Sequence, residues 1–317
     1  MPPDRLHKPV LMVIRGEREH VVIHSDDSIS RIDAATLQRV SEPATPLPCE
    51  VTCGVHLGDS IVLCWVDRQH RIARMSAMPR GSWRAGIGRD SLRLALNENR
   101  VEDTHPADAI WSHELSAEPL AMASVDGDLV FCTLERGMYR VTARSEEVWR
   151  AALPDWPLAW PGAREDIIET MRQVDEIIWV FTDTCGFAAI SAEDGTILDI
   201  GRLPVTGALS MVRHDARNGW LIVVDDERLL CLDAELRVVS EQALRRPIND
   251  AMAVGDGWAW TGWRLDGSTG PDRVAVEHSE IGVALFSRRD AIWALRNDGD
   301  WHRHPTPVAS LHSSEEE

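Results

Sequence analysis

The strongest constraint on this chain is a phrase that keeps returning. Asp126-Gly-Asp-Leu-Val-Phe-Cys-Thr-Leu, Gly137-Met-Tyr-Arg-Val-Thr-Ala and Glu147-Val-Trp-Arg-Ala-Ala-Leu read as three short strands joined by tight polar turns. The triplet recurs at Ile177-Ile-Trp-Val-Phe-Thr, Gly186-Phe-Ala-Ala-Ile-Ser and Thr196-Ile-Leu-Asp-Ile, and at Trp220-Leu-Ile-Val-Val-Asp, Arg228-Leu-Leu-Cys-Leu-Asp and Leu236-Arg-Val-Val-Ser. Weaker copies stand near both ends, from His20-Val-Val-Ile-His and from Val283-Ala-Leu-Phe-Ser. Two successive units close on similar phrases, Ile110-Trp-Ser-His-Glu-Leu and Val148-Trp-Arg-Ala-Ala-Leu, whose tryptophans Trp111 and Trp149 stand 38 residues apart. A unit this short cannot bury its apolar face alone, so its copies must stack on one another.

Strands of about five residues repeating with a period near 40 predict an all-β fold, a β-propeller of four-stranded blades. Units fall near 7–48, 49–118, 119–160, 161–204, 205–246 and 247–310, which makes six blades with a seventh open. Leu120-Ala-Met-Ala-Ser and Ala251-Met-Ala-Val supply innermost strands, where small residues suit the crowding at the channel. Segments 80–108 and 264–274 do not fit the repeat and read as insertions or as pieces of a seventh blade. The segment 164–174 has helical spacing at Ile167, Met171 and Val174 and is equally compatible with an innermost strand. One domain over 1–310 is expected, followed by a disordered acidic tail at 311–317.

Within the propellers, Ser30-Arg-Ile-Asp-Ala-Ala-Thr-Leu, Cys231-Leu-Asp-Ala-Glu-Leu-Arg-Val and Glu147-Val-Trp-Arg resemble the quinoprotein-like repeat, as a degenerate pattern over most of the chain. The Gly-His and Trp-Asp marks of WD40 repeats and the Gly-Gly of kelch repeats are absent from it. Quinone-dependent members of that repeat family are typically exported and often carry adjacent cysteines. This chain has neither a signal-like start nor a Cys-Cys pair, so no cofactor is carried over from the resemblance.

Composition narrows the partner. The 317 residues carry a formal charge of −18, a field that repels phosphate backbones and anionic membranes and makes nucleic acid an improbable ligand. Lys8 is the only lysine, so nearly every cation is a guanidinium, suited to fixed contacts with carboxylates. The run Val10–Ile14 is too short for a signal peptide, and no stretch approaches the ~20 apolar residues of a membrane span, which points to the cytoplasm. Cys64, Cys132 and Cys231 lie in apolar runs and read as buried free thiols; Cys49 and Cys53 form a C-x3-C pair with no second pair to complete a zinc set.

Catalytic motifs are missing: no nucleophile elbow, H-E-x-x-H, phosphate loop or calcium loop occurs. His302 and His304 share a strand face, as do His20 and His24, but neither pair is completed into a ligand set of metal-type spacing, so no metal is assigned. Two stretches stand out as interaction surfaces. Arg80-Gly-Ser-Trp-Arg-Ala-Gly-Ile-Gly-Arg-Asp-Ser-Leu-Arg places Arg80, Trp83, Arg84, Arg89 and Arg93 together in an acidic chain. Its alternative is a loop whose arginines pair with neighbouring carboxylates. In Trp258-Ala-Trp-Thr-Gly-Trp-Arg, Trp258 and Trp260 belong to blade packing, while Trp263 and Arg264 are exposed. Arginine and tryptophan are the residues that most often anchor interfaces.

The expectation is a non-catalytic scaffold for protein–protein recognition, in a multi-component cytoplasmic system such as a prokaryotic regulatory or conflict (defence) system; that setting is analogy from fold. Its partner would offer an acidic surface or peptide. The alternative is a propeller enzyme with metal-dependent lactonase-like hydrolysis or lyase chemistry at the channel mouth.

Overall fold

A computed structural model of the chain describes residues 3–6, 8–98, 100, 104–160, 162, 164–270, 273–288 and 291–306. The acidic tail lies outside them, and so do parts of the two segments read as insertions. Seven antiparallel sheets follow one another along the sequence, at 10–33, 50–114, 119–151, 168–202, 209–243, 248–277 and 282–303. Each takes its strands in chain order; the first and last have three strands and the other five have four. The first strand of every sheet touches the first strand of the next, and Val10–Ile14 meets Gly282–Arg288 to close the circle. This is a seven-bladed β-propeller with the first strands around a central channel.

Every innermost strand is bent in the same way. The pairing slips by one residue between Val10 and Met12, Val51 and Cys53, Pro119 and Ala121, Ile168 and Thr170, Leu209 and Met211, Ile248 and Asp250, and Gly282 and Ala284. A bulge adds twist where seven strands converge, and it frees one residue per blade from pairing. Past the bulge the alternation fills the gaps between blades with apolar clusters, one of which joins Ala121, Val130, Cys132 and Trp149 to Met171, Val180 and Ile190 of the next blade.

Indoles latch neighbouring blades. Trp111 on the outermost strand of blade 2 donates its ring N–H to the carbonyl of Ala143, and Trp149, its equivalent in blade 3, donates to Ala192 (2.9 and 3.0 Å). Among the described residues, ring closure uses no shared strand. Instead the amides of Leu6 and Val10 donate to Gly299 and Asn297, and the Trp301 indole donates to the Asp4 carbonyl. Around these bonds Val10, Val22 and Ile32 pack on Phe286, Leu295 and Trp301.

Seven blades replace the six visible in sequence, because the unit 247–310 is two. Segment 264–274 is no insertion: Leu265–Ser268 is the third strand of blade 6. Its sequence is polar and glycine-bearing because Gly267 lies under Trp260, where a Cβ would come within 2.3 Å of the indole. Within 164–174, the helical spacing gives way to the innermost strand Ile168–Val174. Segment 80–108 is a true insertion, between the third and fourth strands of blade 2, and carries the helix Arg89–Asn97.

Candidate functional site

The insertion is docked rather than loose. It leaves blade 2 at Pro79, where Arg80 donates to the carbonyl of Gly58 (2.6 Å), and runs along the edge of blade 1, with the Gly86 and Ala107 amides on Thr45 and Pro46 carbonyls. Its helix buries Leu92 and Ala95 against the cluster that holds Ile29, Leu47 and Trp65. Trp83 is the main anchor: it is 8% exposed, donates to the Pro79 carbonyl (2.7 Å) and lies under the guanidinium of Arg31, 5.3 Å from the ring centroid. Arg31 is in turn paired with Glu19.

The outward side carries the arginines. Arg84, with 81% of its side chain exposed, binds Asp108 through Nε (2.7 Å) and NH2, while its amide caps the same carboxylate. Arg89 reaches Asp27 of blade 1. Arg93 and Leu94 face solvent on the helix, Ile110 is exposed where the insertion rejoins blade 2, and Arg93 forms no ion pair among the described residues. A cleft of about 290 Å³ between helix and blades is lined by Asp27, Glu50, Asp67, Arg68, Arg89 and Arg93. Arg84 and Arg89 therefore pair with neighbouring carboxylates, and Arg84, Arg89 and Arg93 all lie at the surface.

Trp263 and Arg264 stand apart from this group, in the turn between the second and third strands of blade 6, three blades round the ring. Trp263 is 48% exposed, and Arg264 takes a positive φ of 58° that the tight turn imposes. As expected, Trp258 and Trp260 are buried between blades.

Sequence spacing missed a cluster that folding assembles from two blades. Asp266 accepts from His278 Nε2 (2.9 Å), from His302 Nε2 and from Thr261 Oγ1 (2.6 Å). Burial alone would raise the Asp266 carboxyl, but the hydrogen bonds from His302, Thr261 and His278 overcome it and hold the group at about 2. Asp266, His278 and His302 bring three metal-capable atoms within 4.8 Å of one another, so they are the residues that could take a transition ion. As they stand, their hydrogen bonds tie blade 6 to blade 7. His304, predicted to share a face with His302, turns instead to the Trp260 carbonyl (3.0 Å). His24 bonds Ser30, and His20 accepts the Gly16 amide.

No known family profile matches the sequence, and no curated protein does. Solved structures do match. The β-propeller domain of Cps50 (Swd1) from Myceliophteria thermophila superposes with a TM-score of 0.63 at 11% identity, over 95% of this chain and 97% of that one. The computationally designed Ika8 protein gives 0.60 at 8%, over 96% and 98%, and BamB from Moraxella catarrhalis gives 0.56 at 10%, over 93% and 83%. At such identities the likeness concerns architecture alone, and it fixes this chain as a β-propeller.

Proposed function

We propose that this propeller is a protein-recognition scaffold whose principal contact surface is the blade 2 insertion. The observation that carries the reading is the docking of the insertion: Trp83, Leu92 and Ala95 are buried on the body, while Arg84, Arg89, Arg93 and Leu94 point outward from a fixed helix and loop. A pre-ordered surface loses little entropy on binding, and arginine beside an exposed leucine suits an acidic partner with an apolar anchor. We place it in the cytoplasm as one component of a larger system; six free cysteines support a reducing setting. Among the described residues no helix is long and apolar enough to cross a membrane.

The test is a photo-crosslinking residue at position 94, in cells of the native host, against the same residue at position 239, which is more exposed still, on the outer strand of blade 5. The reading expects one protein product from position 94 that disappears above about 0.5 M salt, where screening reaches within a few ångströms. Equal products from both positions, or a product indifferent to salt, would overturn it.

A further inference from the structure

The central channel holds more positive charge than its carboxylates answer. Arg15, just past the innermost strand of blade 1, and Arg213, on that of blade 5, both turn to one acid, Asp250 of blade 6. Asp250 is 2% exposed and is saturated, taking Arg15 through both oxygens, Arg213 at 2.8 Å and the Leu285 amide at 2.6 Å. Arg172 of blade 4 occupies the same bulge-relative position as Arg213 and bonds only a carbonyl, that of Val212, through Nε (3.0 Å). No carboxylate among the described residues pairs with Arg172. Arg213 also spends NH1 on the Val212 carbonyl, and its Nε is buried without a partner. Three guanidiniums thus face one carboxylate, inside a molecule whose overall charge is −18.

An uncompensated buried charge is costly, and it persists where something else offsets it. Burial, then the nearby charges of Arg213 and Arg15, push the Arg172 guanidinium down to about 9, against a weaker pull from Asp250. Beside this group lies a cavity of about 400 Å³, lined by Arg15, Arg213, Asn249 and Asp250 with apolar walls from Val10 to Val13 and Val283. Glu169, at the bulge of blade 4, has Asp183 and Asp226 near it, and none of the three bonds Arg15, Arg172 or Arg213. We propose that the channel is a binding site for a small oxyanion-bearing ligand, a phosphate or carboxylate group held by the terminal nitrogens of Arg172, which no described residue takes, with the charges of Arg213 and Arg15 beside it. Guanidinium donors in fixed orientation are suited to such groups, which they grip through paired N–H bonds. The site is separate from the blade 2 insertion and does not depend on it.

The experiment titrates the full chain with inorganic phosphate and, separately, with citrate, by calorimetry and thermal melting, against sodium chloride at matched ionic strength. Saturable one-to-one binding below about 1 mM is expected for at least one of the two, with a raised melting midpoint that chloride does not reproduce. Phosphate alone would mark a phosphoryl ligand, citrate alone a carboxylate ligand, and both a general oxyanion site. Arg172→Met removes an unpaired cation without stranding a carboxylate, so it should melt at or above the parent temperature without anion and bind at least about tenfold more weakly. If that variant does not fold, Arg172→Lys decides: it keeps the charge but not the fork, and the same weakening is expected. Failure of both anions to saturate, or unchanged affinity in the folded variant, would overturn the site.

Discussion

The indole of Trp149 lies against Gly195 of the next blade, where a Cβ would approach to 2.9 Å of the ring and the backbone holds a positive φ of 76°. Trp149 is 9% exposed and also donates to Ala192, so one side chain supplies apolar area and a directed bond between blades. Trp149→Ala should cost about 3–5 kcal/mol in urea unfolding, the range for emptying a buried aromatic site. A loss below about 1 kcal/mol would mean that the latch contributes nothing. Thiols give a second check on packing. Cys64 and Cys132 are fully buried, and burial pushes both thiols up, Cys132 to about 12. They should react with a disulfide reagent only after denaturation, while half-buried Cys53 and Cys231 are the first to react in the native state. Rapid native labelling of Cys64 or Cys132 would contradict the register of their strands. Histidines set the acid limit. Burial first, then Arg15 and His56, hold His20 down at about 4, and burial lowers His24, His56, His214 and His304 as well. An unfolded histidine titrates near 6.5, so below that pH the unfolded chain takes up protons that the folded chain refuses. Stability present above pH 6.5 should therefore fall between 6.5 and 4, by about 3 kcal/mol for His20 alone, and His20→Asn should flatten that slope. A stability independent of pH over this window would refute the burial of these rings.

At the level of strands and turns, the triplets were legible because two features coincide in each: a short apolar run and an Asp or Gly turn, as at Asp126-Gly127-Asp128. Legibility failed where burial is satisfied by polar chemistry. The third strand of blade 6 is Leu-Asp-Gly-Ser, and Asp266 survives in it only because Thr261, His278 and His302 supply its hydrogen bonds. Hydropathy does not register such a strand, so blade 6 and blade 7 ran together. Innermost strands were partly hidden for a similar reason, since Arg172 and Gln173 in Ile168–Val174 make polar contacts to the neighbouring blades, with the Val212 carbonyl and Asp126. Asp250 is the element whose loss would spread furthest, because it joins the strands of blades 1, 5, 6 and 7 through Arg15, Arg213 and the Leu285 amide. Asp250→Asn should cost about 2–4 kcal/mol in equilibrium unfolding, by leaving the part-buried Arg15 and Arg213 without an anion and the Leu285 amide with a weaker acceptor. A change under about 1 kcal/mol would show that the channel is wet enough to screen them.

For the whole molecule, the ring explains which parts of a functional surface composition can reveal. The cluster from Arg80 to Arg93 is contiguous in sequence, so its arginine excess was visible in a chain of charge −18. That Trp83 anchors the insertion instead of meeting a partner was not visible, because the anchoring groups are Arg31 and Pro79, brought to it by blade 1 and by the end of a blade 2 strand. Arg15, Arg172 and Arg213 were invisible as a set, since only closure of seven blades puts three distant innermost strands around one channel. The double variant Arg84→Glu, Arg89→Glu tests the insertion as a contact surface most directly. Both side chains are more than half exposed, and exposed ion pairs contribute little to folding. The variant should lose the crosslinked product from position 94 while its melting midpoint moves by no more than about 2 °C, the shift that about 1 kcal/mol produces in a chain of this size. Retained capture would contradict the proposed surface, and a collapsed midpoint would show that these arginines hold the fold instead of a partner.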